Sequence, residues 1–395
     1  MGARAPASDW ANDFDHLDPR WVEDPYPIWQ ELRRTCPVAH TDRFMGVYFP
    51  TRYEDIRAIA YDTENFSSRR AIIREGRPLL PPTPPLTSDP PAHRADRKVL
   101  LPRFTPAAVE KLEPRTRALC REALERLSGK TECDAAADYA QEIPTRVTAR
   151  MLGISEEAGE LFRRWVYEAL ELGVEQPDIA KRAIAEMGAF FTAEVARRRL
   201  EPGDDLVSYL LDVRIAGEPL SDEHIANTLR LLLLAGITST WSMIGVSLWH
   251  LATHADDRAR LAAEPGLIPT AIEEFLRAYT PVALARQIVK DTEIGGCPLK
   301  QDEMVLLHFG AANRDPAVFP DADKVIIDRA EIRHAAFGLG IHRCIGSTLA
   351  RMEMRVALEE WLAQFPDFVL SPGAVVKWSS GTVRGPRQLP VTLRR

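Results

Sequence analysis

The sequence predicts a mostly α chain with small β-sheets, an α+β fold built as one domain over residues 1–395. Three observations predict it. Apolar residues recur at helical spacing through most of the chain, strand-like runs are few and short, and no repeat or shift in composition divides it. With 45% hydrophobic and 27% charged residues, a chain of this length can bury a large core.

In chain order, 27–35 reads as an N-terminal helix beside a short strand at 45–49. The proline-rich stretch PLLPPTPPLTSDPP at 78–91 removes backbone donors and stiffens the chain, so it reads as a loop, and long loops in compact domains often wall a site. Residues 109–127 read as an amphipathic helix with Pro114 near its start, followed by a helix at 179–200. EPGDDLVSYLL at 201–211 reads as a turn leading into a helix, with no chemistry assigned to Asp204 or Asp205. A long helix is expected at 222–254, a strand at 304–308, a helix at 347–364 and a final strand at 389–393.

Several function classes are excluded. The net charge is −7 and no basic stripe interleaved with aromatics occurs, so no nucleic-acid partner is expected. The N-terminus lacks an apolar signal core. The densest apolar run, LLLLAG at 231–236, falls short of the roughly 18 residues a membrane span needs. The five cysteines are scattered without a CxxC, which argues against a disulfide framework or zinc ribbon and for a reducing, cytoplasmic setting.

The segment FGLGIHRCIG, 337–346, carries the chemistry. Cys344 precedes an expected helix, whose orphan N–H groups and dipole favour a thiolate. Gly338, Gly340 and Gly346 strip side chains where backbone must turn or approach something broad and flat. A thiolate with a planar macrocycle answers both features, iron–thiolate ligation of haem being a known mode. A lone cysteine in a glycine turn is usually a small buried residue; the ten-residue pattern argues otherwise.

The segment resembles the F-G-x-G-x-H-x-C-x-G signature of the haem-thiolate monooxygenases, the cytochromes P-450, and further family marks follow in order along nearly the whole chain. The resemblance implies haem b as cofactor and Cys344 as its iron ligand, with Phe337, Gly338 and Gly346 in the ligand loop. It implies that Glu274 and Arg277, in EEFLRAYTP, form a buried structural pair with a downstream arginine, for which Arg329 is the choice. It implies that His93 and Arg97, with Arg286 and His342, hold the propionates, arginine suiting a carboxylate through charge-assisted bonds. It implies that Ala235 and Gly236, mid-way along the long helix, pass close over the macrocycle. Read alone, each of these charges would pass for a solvated surface group.

Here the chain departs from the family pattern. Many members read A-G-x-(D/E)-T in the long helix, whereas this sequence has Thr238 at the acid position and Ser239 at the alcohol position, followed by Thr240. These three hydroxyls are the catalytic candidates, with the usual proton relay lacking its acid. Pocket candidates are Ile72, Ile73, Leu79, Leu80, Leu231, Leu232, Val282, Leu284 and Trp378, mostly aliphatic as an apolar site requires.

The expected activity is hydroxylation or O-dealkylation of a small hydrophobic substrate, with aromatic compounds among the candidates because LLLLAGITSTWSMIGVSLWHLA resembles the haem domains of the family's self-sufficient branch. The sequence stops soon after the last expected strand. Electrons are therefore expected from a separate ferredoxin and ferredoxin reductase, docking on Arg333, Arg343, Arg351 and Arg355 with Lys98 and Arg103 nearby. The alternatives are a peroxide-driven haem-thiolate enzyme and a non-catalytic haem-thiolate sensor.

Overall fold

The computed structural model describes residues 5–78 and 80–394. Its centre is the helix Asp222–Thr253, thirty-two residues long. Ser221 caps it by accepting from the His224 N–H, and Asp222 and Glu223 complement the dipole in the first turn. By length and composition this helix could cross a membrane, but 78% of its most apolar window is buried inside the protein. Its apolarity therefore serves the core. Helices Glu142–Leu152 and Pro177–Leu200 pack along it, and the helix Ser347–Gln364 crosses beneath it.

Two sheets flank this helical body. The larger runs in the order Val38–Thr41, Val47–Pro50, Met304–His308, Ala283–Ile288, Phe66–Ser67. Only the pairing of Met304–His308 with Val47–Pro50 is parallel. The smaller joins Asp367–Leu370, Pro390–Arg394 and Glu132–Asp134 antiparallel. The expected α+β class with small sheets is what forms.

Local departures have local causes. The helix expected at 109–127 forms as two pieces, Pro106–Glu110 and Glu113–Glu125, with Pro114 in the first turn of the second, where its missing N–H costs nothing. The strand expected from 45 begins at Val47, because Phe44 and Met45 have φ of 56° and 68°, outside any strand. Asp205 caps the helix Leu206–Asp212 through the Ser208 N–H.

Candidate functional site

A cavity of about 630 Å³ lies between the central helix and the loop that precedes Ser347–Gln364. Four segments supply much of its wall. The loop after Phe66–Ser67 gives Ile72, Ile73 and Leu80; the central helix gives Leu231, Leu232, Ala235, Gly236, Ser239 and Thr240. Val282, Leu284 and Arg286 follow the helix Ile268–Tyr279, and Phe337, Gly338, His342, Cys344 and Gly346 form the cysteine loop.

Cys344 faces into this cavity. Its N–H donates to the Phe337 carbonyl at 2.7 Å, closing the loop. Gly340 has φ of 68°, and a Cβ there would strike the Ala60 backbone carbonyl, so the loop can sit on the helix Tyr53–Tyr61 only with glycine. The helix start was expected to lower the thiol pKa. Instead burial prevails and raises it, against the downward pull of the Gly346 N–H and the charges of Arg97, Arg343 and Arg351. By surface area Cys344 is exposed to the cavity, where a coordinated metal ion would favour its thiolate.

Basic groups gather on one side of the loop. Arg97 donates to the Arg343 carbonyl at 2.6 Å. Arg286 is 3% exposed, and burial brings its pKa down to about 10. His342 meets Ser68 Oγ at 2.8 Å; burial, then Arg286, His93 and Arg97, lower it to about 3, so it is neutral at pH 7. His93 packs its ring edge to face on His342 at 4.4 Å and is itself outside the cavity lining. Its buried Nε2 has no hydrogen-bond partner.

Beneath the loop, Glu274 and Arg277 are fully buried and joined by two bonds of 2.8 Å. Arg329 adds a third at 3.0 Å and the Ile326 N–H a fourth at 2.9 Å. Burial works to raise the Glu274 pKa, yet the two guanidiniums lower it overall. Arg277 also donates to the carbonyls of Asn313, Ala322 and Lys324, and Asn313 Oδ1 accepts from the Ala335 N–H at the entry to the cysteine loop. The pair thus fixes the loop through two intermediate bonds.

The central helix presents Ala235, Gly236, Ser239 and Thr240 to the cavity. Ser239 Oγ donates to the Ala235 carbonyl at 2.8 Å, which leaves its lone pairs free to accept. Thr238 is not brought there. Successive residues turn by about 100° round a helix, which swings Thr238 off the face that carries Ala235 and Ser239; it is 1% exposed and its hydroxyl has no partner. Gly236 also serves a neighbouring helix, since a Cβ there would lie 2.8 Å from Thr148 Oγ1.

One other pocket expectation changes. Trp378 stays outside the wall because its ring packs edge to face on Trp249 at 5.3 Å and under Arg384 at 4.1 Å; Thr382 and Val383 line the cavity from that region instead. Leu79 lies outside the described residues.

Four groups escaped the sequence reading. Glu273 clamps Arg351 at 2.6 Å and His334 at 3.1 Å, tying its helix to the cysteine-loop helix, and its pKa falls to about 2 although burial opposes this. Glu353 lines the cavity at 1% exposure with Oε2 unpartnered, and burial raises it to about 8. Arg74 and Arg230 line the cavity and are buried. For Arg230 the signal was a charge inside the apolar run LRLLLL.

The site fits a haem on its own evidence: an apolar cavity, a cysteine facing into it, and arginines with a histidine gathered at one edge where carboxylates would lie. Comparison with known proteins agrees. The family model Cytochrome P450 matches residues 161–377. Mycinamicin IV hydroxylase/epoxidase of Micromonospora griseorubida is 36% identical over 91% of this chain and 94% of its own. The 6-deoxyerythronolide B hydroxylase of Saccharopolyspora erythraea is 34% identical over 98% of both. A solved structure of a mutant of P450 EryK in complex with erythromycin B superposes with TM-score 0.85 at 33% identity, covering 92% of this chain and 95% of that one.

Proposed function

The chain belongs to the cytochrome P450 family and is a haem-thiolate monooxygenase, and from that premise we propose that it hydroxylates or O-dealkylates an apolar organic substrate with electrons from a ferredoxin and its reductase. The observation that carries this reading is Cys344 and Ser239 on the walls of one largely apolar cavity, with Arg97, Arg286 and His342 beside the cysteine.

In this reading Cys344 ligates the iron of haem b, and Arg97, Arg286 and His342 hold its propionates. When bound, the haem supplies oxygen activation and insertion of one oxygen atom into a C–H bond or at an ether carbon. The chain's own residues do the rest. Ile72, Ile73, Leu80, Leu231, Leu232, Val282 and Leu284 bind the apolar body and exclude water. Ser239 holds a proton at Oγ and accepts another through its free lone pairs, with Thr240 as a second hydroxyl on the same wall.

On the cysteine side, Arg351 and Arg355 are engaged by Glu273, and by Glu113 and Glu359. The docking patch therefore narrows to Arg343, Arg333 and Lys98, which are exposed and make no ion pair among the described residues. A second reading, peroxide-driven turnover, is favoured by one observation: among the described residues the central helix gives the cavity hydroxyls and no carboxyl. Turnover of one substrate with ferredoxin, reductase, NAD(P)H and ¹⁸O₂ puts the label in the product if the first reading holds. Product from peroxide alone, with none from the electron chain, rejects it in favour of the second.

A further inference from the structure

Among the described residues, seven arginines and a single acid, Glu353, line the cavity. The function proposed above uses two of the arginines, Arg97 and Arg286, for the propionates. Arg77 is strapped outside by carbonyls of Phe44, Met45, Gly46 and Asp302. Arg69 lies at the mouth with an 81% exposed side chain, and Arg70 beside it is only half-buried and donates to the Arg77 carbonyl at 2.8 Å. Arg74 and Arg230 differ, being 5% and 2% exposed.

Among the described residues neither makes an ion pair, although the charge of Glu223 acts on Arg230. Arg74 makes one hydrogen bond, to the Gly173 carbonyl at 2.8 Å. Arg230 donates to Asn227 Oδ1 at 2.8 Å and to the carbonyls of Pro81 and Pro82 at 3.1 and 2.9 Å, and its buried Nε has no partner. All these acceptors are neutral. Glu353 does not serve, because burial alone acts on its pKa, and a guanidinium alongside would pull it down. Two buried cations without an anion in hydrogen-bond reach are costly, and such charges are normally paired. Neutral glutamines could donate to the same carbonyls without that cost.

We infer that Arg74 and Arg230 form an anion subsite that anchors the carboxylate of an amphiphilic substrate, whose apolar body extends towards Ser239. This rests on the monooxygenase reading and deepens it. The guanidinium fork matches a carboxylate with two parallel bonds. Arg230 stands nine residues before Ser239, about 13 Å along the helix axis at 1.5 Å per residue. The acid end and the oxidised end of the substrate are therefore well separated, which suits a long-chain or fused-ring organic acid better than a small one.

The test is equilibrium binding of dodecanoate, 4-hexylbenzoate and dehydroabietate, each against its methyl ester. Binding is read by the Soret shift and independently by calorimetry, on the wild-type holoprotein and on Arg230→Gln, Arg74→Gln and Arg74→Lys. At least one acid is expected to bind tenfold or more tightly than its ester. Each glutamine variant should cut that preference at least tenfold while leaving ester affinity within twofold, and Arg74→Lys should retain most of it. Circular dichroism establishes that the variants fold. Equal binding of acid and ester in all three pairs, no binding of any acid, or a preference unchanged in both glutamine variants overturns the subsite. The ferrous carbonyl spectrum separates the two levels: a thiolate-type band without acid preference defeats the anchor alone, whereas loss of that band in the wild type defeats the monooxygenase reading.

Discussion

Replacing Glu274 by glutamine keeps the shape of the side chain and removes its charge. Arg277, fully buried 2.8 Å away, would then face no carboxylate. Two estimates of the cost agree. Removing one partner of a buried ion pair costs about 3–5 kcal/mol. Counted by bonds, Glu274 accepts from Arg277 twice, from Arg329 and from the Ile326 N–H. The amide NH₂ of glutamine can accept none of the pair of donors it meets, and hydrogen bonds to charged groups are worth about 1.5–3 kcal/mol each. Taking about 2.1 cal/mol/K of unfolding entropy per residue, 395 residues give about 0.8 kcal/mol/K, so a loss of about 4 kcal/mol lowers Tm by about 5 °C. The effect should reach the site. Arg277 holds the Asn313 carbonyl and Asn313 holds Ala335, so the cysteine loop loosens and the ferrous carbonyl complex should lose its thiolate band faster than wild type. Thermal unfolding by circular dichroism gives the first readout and the decay of the carbonyl spectrum the second. A Tm loss under 1 °C for Glu274→Gln would refute the reasoning.

Three further predictions follow from the geometry. Gly340→Ala forces a Cβ against the Ala60 carbonyl at a φ of 68°, and should abolish the thiolate band in the carbonyl spectrum while far-ultraviolet circular dichroism persists. Glu353, raised from 4.5 to about 8 by burial, keeps a proton in the folded state that the unfolded chain releases. Stability should therefore fall as pH rises from about 5 to 8, by up to about 4–5 kcal/mol at 1.36 kcal/mol per pKa unit, and denaturant titrations of Glu353→Gln should be flatter across that range. Arg343→Glu reverses an exposed charge beside the cysteine and should slow reduction by an acidic ferredoxin at low salt, with the difference from wild type shrinking at high salt in stopped-flow traces.

How far the site could be read in advance depended on how far along the chain each feature spreads. The cysteine loop was legible because its chemistry is contiguous: glycine, histidine and cysteine fall within ten residues, and the backbone alone decides why Gly340 must be glycine. Glu274 and Arg277 were legible because one helical turn joins them, and Arg329 could be chosen as their third member only through the resemblance. Thr238 was misplaced by reading positions and not faces: one step along a helix separates it from Ser239, and that step turns it into the core. Trp378 was misplaced because its aromatic character fits a pocket as well as it fits the packing against Trp249 that holds it.

Arg74 and Arg230 mark where sequence reasoning stops. A guanidinium is a surface group by default, and nothing local to Arg74 says otherwise; its burial accompanies the reach of Arg74 and Glu75 to the Gly173 and Val174 carbonyls. Arg230 did carry a signal, a cation within an apolar run, but an arginine there could equally pair with an acid from any neighbouring helix. Only the folded arrangement reveals that the groups it meets are an amide and two proline carbonyls. The same fold that makes the cavity apolar leaves these two guanidiniums with neutral hydrogen-bond acceptors only, a feature that needs the whole fold to be seen.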